Sequence, residues 1–214
     1  MIFWKKLKHE QLKARIQQAL QENVNFSNDA SLGYPASKLD GQVFYDDAPF
    51  LKDAPTLQTY VANPNNIGCH TFGTSEKAFS GTQEIEREVL NVLAVDVFKA
   101  KENEFDGYIA PGGTEANIQA VWVFRNYFMN HFNAKSDEIA ILASEDTHYS
   151  IPKAANLLQI DWIRVAVDFN TRAIEIENLD RVISEAKSNG KKYFIAVANM
   201  GTTMFGSVDN PNDY

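Results

Sequence analysis

The sequence predicts an α/β domain, a mostly parallel sheet with helices on both faces, preceded by an N-terminal arm of helix and loop. Two observations carry this reading. From about residue 83, apolar runs of strand length alternate with longer helical patterns, which implies parallel pairing through crossover helices. The segment before it is rich in Asn, Ser, Gly and Pro and shows no such alternation. Composition agrees: 44% hydrophobic and 22% charged residues are globular values, and 11 Gly with 7 Pro in 214 residues are too few for a fibrous or disordered chain. The expected division is residues 1–82 as arm and loop-rich segment and 83–214 as the α/β domain.

In chain order, Leu12, Ile16 and Leu20 recur at i+4, with Trp4 and Leu7 leading in, and predict an amphipathic helix docked on its own protein or on a partner. Residues 22–82 read as loop-rich, with room for short helical pieces. The run EIEREVLNVLAVDVF puts Ile85, Val89, Leu93 and Val97 on one helical stripe with acids in the first turn. FDGYIA then reads as a short strand entering a glycine turn. TEANIQAVWVFRNYFMNHF reads as a long helix and EIAILAS as a buried strand. A helix from about Thr147 follows, then the strand WIRVAV, the helix NLDRVISEAKS closed by Gly190, and the strand YFIAVANM.

The balance of 20 Lys+Arg against 28 Asp+Glu gives a net charge of −8, which argues against a nucleic-acid footprint. The single cysteine, Cys69, excludes a disulfide framework or a cysteine-rich zinc site. Lys5, Lys6 and Lys8 interrupt the apolar start, and no apolar stretch reaches spanning length. A soluble cytoplasmic protein is expected.

In open α/β sheets, ligands bind at the carboxyl ends of strands, and three such ends here carry unusual residues. The first is Pro111-Gly112-Gly113-Thr114-Glu115, which reads either as a phosphate cradle at a helix start or as a plain glycine turn with Thr114 as the cap. It matches neither the Walker nor the dinucleotide spacing. The second holds His148, at a helix start, with a flat ring face turned to the ligand side of the sheet. His9 and His131 read as structural, and His70 is ambiguous. The third, ANMGTTMFGSVDN, offers Asn199, Thr202 and Thr203 as hydrogen-bonding side chains. Asp209 there reads as a cap for a following helix or as a site carboxylate.

GGTEAN, DTHYSIPKAA and GTTMFGSVD, in this order, resemble the group II pyridoxal-phosphate-dependent decarboxylases, which include the glutamate, histidine and aromatic amino-acid enzymes. The resemblance covers roughly residues 30 to 214, from LGYPAS onward. It implies the fold-type-I large domain, a homodimer with active sites at the interface, pyridoxal 5'-phosphate as cofactor, and an L-amino acid as substrate, decarboxylated to the amine. By position, Gly112, Gly113 and Thr114 match the residues that hold the cofactor phosphate. His148 matches the ring-stacking histidine, and Thr203 or Thr202, with Asp209, the polar loop beside the cofactor. A relative of the sphingosine-phosphate lyase type would want further basic residues and a membrane anchor. A non-catalytic, dimerising fragment is the third reading.

The family's cofactor-linked lysine and the aspartate that pairs with the pyridine nitrogen belong to segments later than GSVDN, and none of the lysines here lies in a matching segment. Lys153 is nearest to His148 in sequence but sits in the histidine helix. The 214 residues therefore read as the N-terminal half of such an enzyme, with no decarboxylase activity expected from them alone.

Overall fold

A computed structural model describes residues 7–25, 28–30, 45, 48–63 and 74–214. Trp4, the LGYPAS segment, Cys69 and His70 lie outside the described residues. The chain folds as two units, Met1–Ile109 and Ala110–Tyr214. The boundary expected at 82/83 falls inside a helix of the first.

Among the described residues of that first unit, α1 (His9–Glu22), α2 (Pro55–Ala62) and α3 (Ser80–Asn91) are the α-helices. The arm is docked, as its pattern implied, and the contact centres on Ala19. Leu12 is 47% exposed, whereas Ala19 is fully buried. The reason is a close crossing at Gly81, where a Cβ would lie 1.7 Å from the Ala19 carbonyl oxygen. Asn23, just beyond α1, caps α3: its Oδ1 accepts from the N–H groups of Gly81 (3.0 Å) and Thr82 (3.2 Å). Arg15 of α1 pairs with Glu88 of α3.

The stripe Ile85, Val89, Leu93 and Val97 does not run on as one straight helix. Residues Val92–Val97 form a π turn, in which Phe98 N–H reaches Leu93 O (3.0 Å). That changes the side-chain register, and Val89, Leu93 and Val97 are exposed. The strand expected at FDGYIA does not form. Gly107 interrupts its apolar run, and the Ile109 N–H donates to Glu86 Oε1 of α3 (2.6 Å) instead of to a ladder.

The second unit comprises α4 (Gly113–Phe132), β1 (Ile139–Ser144), α5 (Ser150–Leu158), β2 (Asp161–Val165), α6 (Ile176–Ser188) and β3 (Tyr193–Val197). The strands lie in the order β2-β1-β3, both pairs parallel, with Ile141 opposite Trp162 on one side and Ile195 on the other. Every residue of β1 is buried, because helices cover both of its faces. One face packs Ile139, Ile141 and Ala143 against Val121 of α4 and Ile151, Ala154 and Ala155 of α5. On the other, Leu142 and Val165 meet Leu179, Val182 and Ile183 of α6. At roughly 1.5–3 kcal/mol per large apolar side chain buried, these two layers hold the sheet's ends in place. Gly190, at φ 92°, lets the chain leave α6 in the left-handed region.

Candidate functional site

Beyond the carboxyl ends of β1 and β3, the segments 145–149 and 198–210 come together, and the start of α4 joins them. Gly112 is the residue before the first turn of α4, with extended backbone (φ −176°, ψ 163°) and no side chain to cap the helix. A Cβ placed on Gly112 or Gly113 would meet nothing within 4 Å, so open space lies beside the turn. The N–H groups of a first turn have no carbonyl four residues back, and the helix dipole adds partial positive charge there. A backbone that an anion can approach closely results.

Thr114 is not the cap. It is the second residue of α4, and its Oγ1 lies 3.0 Å from the Tyr149 hydroxyl. That contact ties the helix start to the histidine segment. Three residues on, and so on the same face of α4, Asn117 Nδ2 donates to Ser150 Oγ at 2.8 Å.

The histidine helix begins later than its sequence suggested. α5 starts at Ser150, because the Thr147 hydroxyl turns away to donate to Asn199 Oδ1 (2.9 Å). His148 therefore sits in the turn ahead of the helix, exposed, with the Tyr149 ring centred 4.2 Å from its own. Its Nδ1 lies 2.8 Å from Ser150 Oγ and accepts from the Ser150 N–H at 3.3 Å.

Asn199 is the hub of the third segment. Its Nδ2 donates to Asp209 Oδ2 (2.8 Å) and to Ser144 Oγ at the end of β1 (3.1 Å), and its backbone N–H also reaches Asp209 Oδ2 (2.8 Å). Asp209, 4% exposed, closes the 199–209 loop in return through its own N–H to Asn199 O (2.8 Å). It does not cap the next helical turn, Pro211–Asp213, where Asn210 accepts from the Asn212 N–H instead. Thr202 is also turned inward: its Oγ1 pairs with Ser207 Oγ (2.7 Å) and accepts from the Ser207 N–H (3.2 Å). Thr203 is exposed.

Arg172, from the turn between β2 and α6, locks the rim. Its Nε donates to Asp146 Oδ2 (2.8 Å), and its guanidinium stands 4.3 Å over the Phe205 ring. The turn itself is held by Asp168, whose carboxyl accepts from Thr171 and Asn170 and lies below the ordinary carboxylate range, chiefly through the Thr171 N–H.

The structure thus joins Thr114, the residue after Gly112 and Gly113, to His148 through Tyr149, and it links Asp209 through Asn199 to Thr147, beside His148. Sequence reasoning missed Asn117, Tyr149, Ser150 and Arg172. For Asn117 a signal existed in its i+3 spacing from Thr114. Lys153 is exposed on α5. Among the described residues, no group of three His, Cys, Asp or Glu is arranged for a metal ion, and no helix is long and apolar enough to cross a membrane.

Residues 56–214 match the family model described as the pyridoxal-dependent decarboxylase conserved domain. The chain is 51% identical over 214 residues to a tryptophan decarboxylase of Clostridium sporogenes, covering all of this chain and 51% of that protein. It is 29% identical over 174 residues to an aromatic-L-amino-acid decarboxylase of Bacillus atrophaeus, covering 75% of this chain and 35% of that one. The chain therefore spans about half the length, or less, of these relatives. Among solved structures, it resembles the glutamate decarboxylase domain of a diaminobutyrate-pyruvate transaminase and L-2,4-diaminobutyrate decarboxylase from Vibrio parahaemolyticus. The TM-score is 0.56 at 19% identity, over 98% of this chain and 55% of that one. That likeness shows the fold, the large domain of fold-type-I enzymes.

Proposed function

The chain belongs to the pyridoxal-dependent decarboxylase family, and from that premise we propose that it forms the phosphate-holding and ring-facing part of an enzyme that decarboxylates an L-amino acid. An aromatic amino acid, tryptophan first, is the substrate to test, a choice supported by the 51% identity to a tryptophan decarboxylase. One observation carries the reading: the uncapped start of α4 and the exposed imidazole of His148 are joined by the Thr114–Tyr149 contact, so an anion cradle and a flat ring face adjoin.

These residues fit pyridoxal 5'-phosphate. The open space beside Gly112 and Gly113 accepts a phosphate group, with the N–H groups of Gly113 and Thr114 and the Thr114 hydroxyl as donors. His148 supplies the face on which a pyridine ring stacks, worth roughly 0.5–1.5 kcal/mol. When bound, the cofactor provides an electron sink for the electron pair left behind as carbon dioxide departs.

The protein's share is placement. Helix α4 and strand β1 share one apolar layer, which fixes the cradle relative to the loop carrying His148. The Asp209–Asn199–Thr147 chain braces the residue beside the imidazole. Thr202 shapes the loop from which the exposed Thr203 hydroxyl reaches the cofactor's surroundings. The assembly is read as a homodimer, supported by the exposed Trp122, Phe124 and Tyr127 of α4, an apolar surface suited to burial.

The test is turnover of the complete enzyme on tryptophan, phenylalanine, histidine and glutamate, with carbon dioxide release as the readout. Release from an aromatic substrate, dependent on added cofactor and lost in His148→Ala, is the expected result. Release from glutamate or histidine alone overturns the substrate choice, and release from none overturns the function.

A further inference from the structure

The hydrogen bonds behind His148 form a directed chain. Ser150, at 0% exposure, is shut off from water, so the partners of its hydroxyl are those the fold supplies. Two of them are fixed: Asn117 Nδ2 at 2.8 Å and His148 Nδ1 at 2.8 Å. An amide nitrogen only donates, so Ser150 Oγ accepts from Asn117 and its own proton points to Nδ1. The backbone N–H of Ser150 also points at Nδ1 (3.3 Å). Two donors converge on one ring nitrogen, which must then be the unprotonated one.

We propose that Asn117 and Ser150 are positioning residues that set the tautomer and the ring orientation of His148: Asn117 donates to Ser150, Ser150 donates to Nδ1, and the proton of the neutral ring is held on Nε2. This rests on the reading that His148 faces the cofactor, since a ring free to flip or to exchange tautomers would present a changing face. The polarity of the chain originates in Asn117. Replacing its amide nitrogen by an oxygen reverses it: an Asp carboxylate accepts the Ser150 proton, the Ser150 oxygen then accepts from Nδ1–H, and the ring proton moves from Nε2 to Nδ1. One proton changes nitrogen, and no bond to carbon is altered.

The experiment is two-bond proton–nitrogen correlation NMR on the cofactor-free protein carrying 15N-labelled histidine, at about pH 9, where the ordinary imidazole is neutral. His148→Gln identifies the His148 signal among the histidine signals. The expected wild-type signal is Nε2–H. Asn117→Asp is expected to shift it to Nδ1–H. Asn117→Leu and Ser150→Ala should each lower the ratio of Nε2–H to Nδ1–H by roughly tenfold, the effect of losing one ordinary hydrogen bond. A wild-type ring protonated on Nδ1 overturns the proposal, as does a tautomer ratio unmoved by both Asn117→Leu and Ser150→Ala. If Asn117→Asp does not fold, those two variants decide alone. Adding pyridoxal phosphate separates this claim from the functional one. A tautomer that responds to the variants as expected, on a ring whose signal the cofactor leaves unmoved, supports the relay and counts against the stacking role of His148.

Discussion

Replacing Thr114 by Val keeps the shape of the second residue of α4 and removes one hydroxyl. In the proposed cradle that hydroxyl donates to a phosphate, and a hydrogen bond to a charged group contributes about 1.5–3 kcal/mol, or roughly 10- to 150-fold in dissociation constant. The cost to stability is much smaller. The lost partner is the Tyr149 hydroxyl, on a side chain that is 62% exposed and returns to water, so the net change is ~0.5 kcal/mol, a melting shift of about 1–2 °C at most. Gly112 and Gly113 are untouched, so the backbone donors remain. The assay is fluorescence titration of the complete enzyme with pyridoxine 5'-phosphate, which carries the phosphate and the ring but no aldehyde and so reports non-covalent affinity alone. Thr114→Ser, which retains the hydroxyl, should bind within about threefold of wild type. An unchanged dissociation constant for Thr114→Val, or a melting loss that accounts for the whole effect, would place the phosphate elsewhere.

His148→Ala should cut turnover per folded molecule by well over tenfold at a stability cost of about 1–3 kcal/mol, since the buried Ser150 hydroxyl loses its acceptor; the same melting loss with normal activity per folded molecule would make the residue structural. Gly81→Ala tests the crossing of α1 and α3 by its sign. Helix propensity alone gives a gain of about 1 kcal/mol, but the Cβ would meet the Ala19 backbone oxygen, so overpacking should destabilise the first unit by about 1–3 kcal/mol or more, measured by urea denaturation. The carboxyl of Asp168 is held below its unfolded value, first by the Thr171 N–H. Its contribution is therefore present above about pH 4 and lost as pH falls through the lower folded value. Proteolysis of the 166–175 turn should rise below about pH 4, and Asp168→Asn should flatten that dependence.

The second unit was legible because its signals are redundant. β1 is a run of six buried residues, and the helical patterns on either side of it match α4 and α6 closely. A central parallel strand must be apolar on both faces, and that requirement is written directly in Ile139–Ser144. The misread strand at FDGYIA shows the limit. Tyr108-Ile109-Ala110 has strand composition, yet whether it pairs depends on a neighbour, and the Ile109 N–H found Glu86, a residue 23 positions away that no local pattern marks. In the amphipathic arm, Ile16 and Leu20 are half-buried as the stripe implies, while Leu12 is exposed, for a related reason. Hydrophobic periodicity favours the largest side chains, whereas the contact was set by the smallest pair, Ala19 and Gly81.

The site divides along the same line. Glycines, a histidine and threonines at strand ends stand out because their backbone and side-chain chemistry is unusual wherever they occur, so Gly112, Gly113, Thr114 and His148 could be selected one by one. Which polar groups meet is a different kind of information. Thr147 reads as a helix start from its position alone, but its hydroxyl is captured by Asn199, 52 residues on, and the helix starts at Ser150. Asp209 reads as a helix cap or a site carboxylate until the backbone and side-chain N–H groups of Asn199 are found on it. In each case a buried or half-buried polar group takes the partner that long-range packing brings within 3 Å, because leaving it unpaired costs more than any local preference contributes. The residues that orient the chemistry, Asn117 and Ser150 behind His148, belong to this second class. The spacing of Asn117 from Thr114 marks a shared helix face and no more, and Ser150 is an ordinary helix residue in sequence; their partnership is visible only when α4 and α5 pack on one face of β1 and bring an amide, a hydroxyl and an imidazole together.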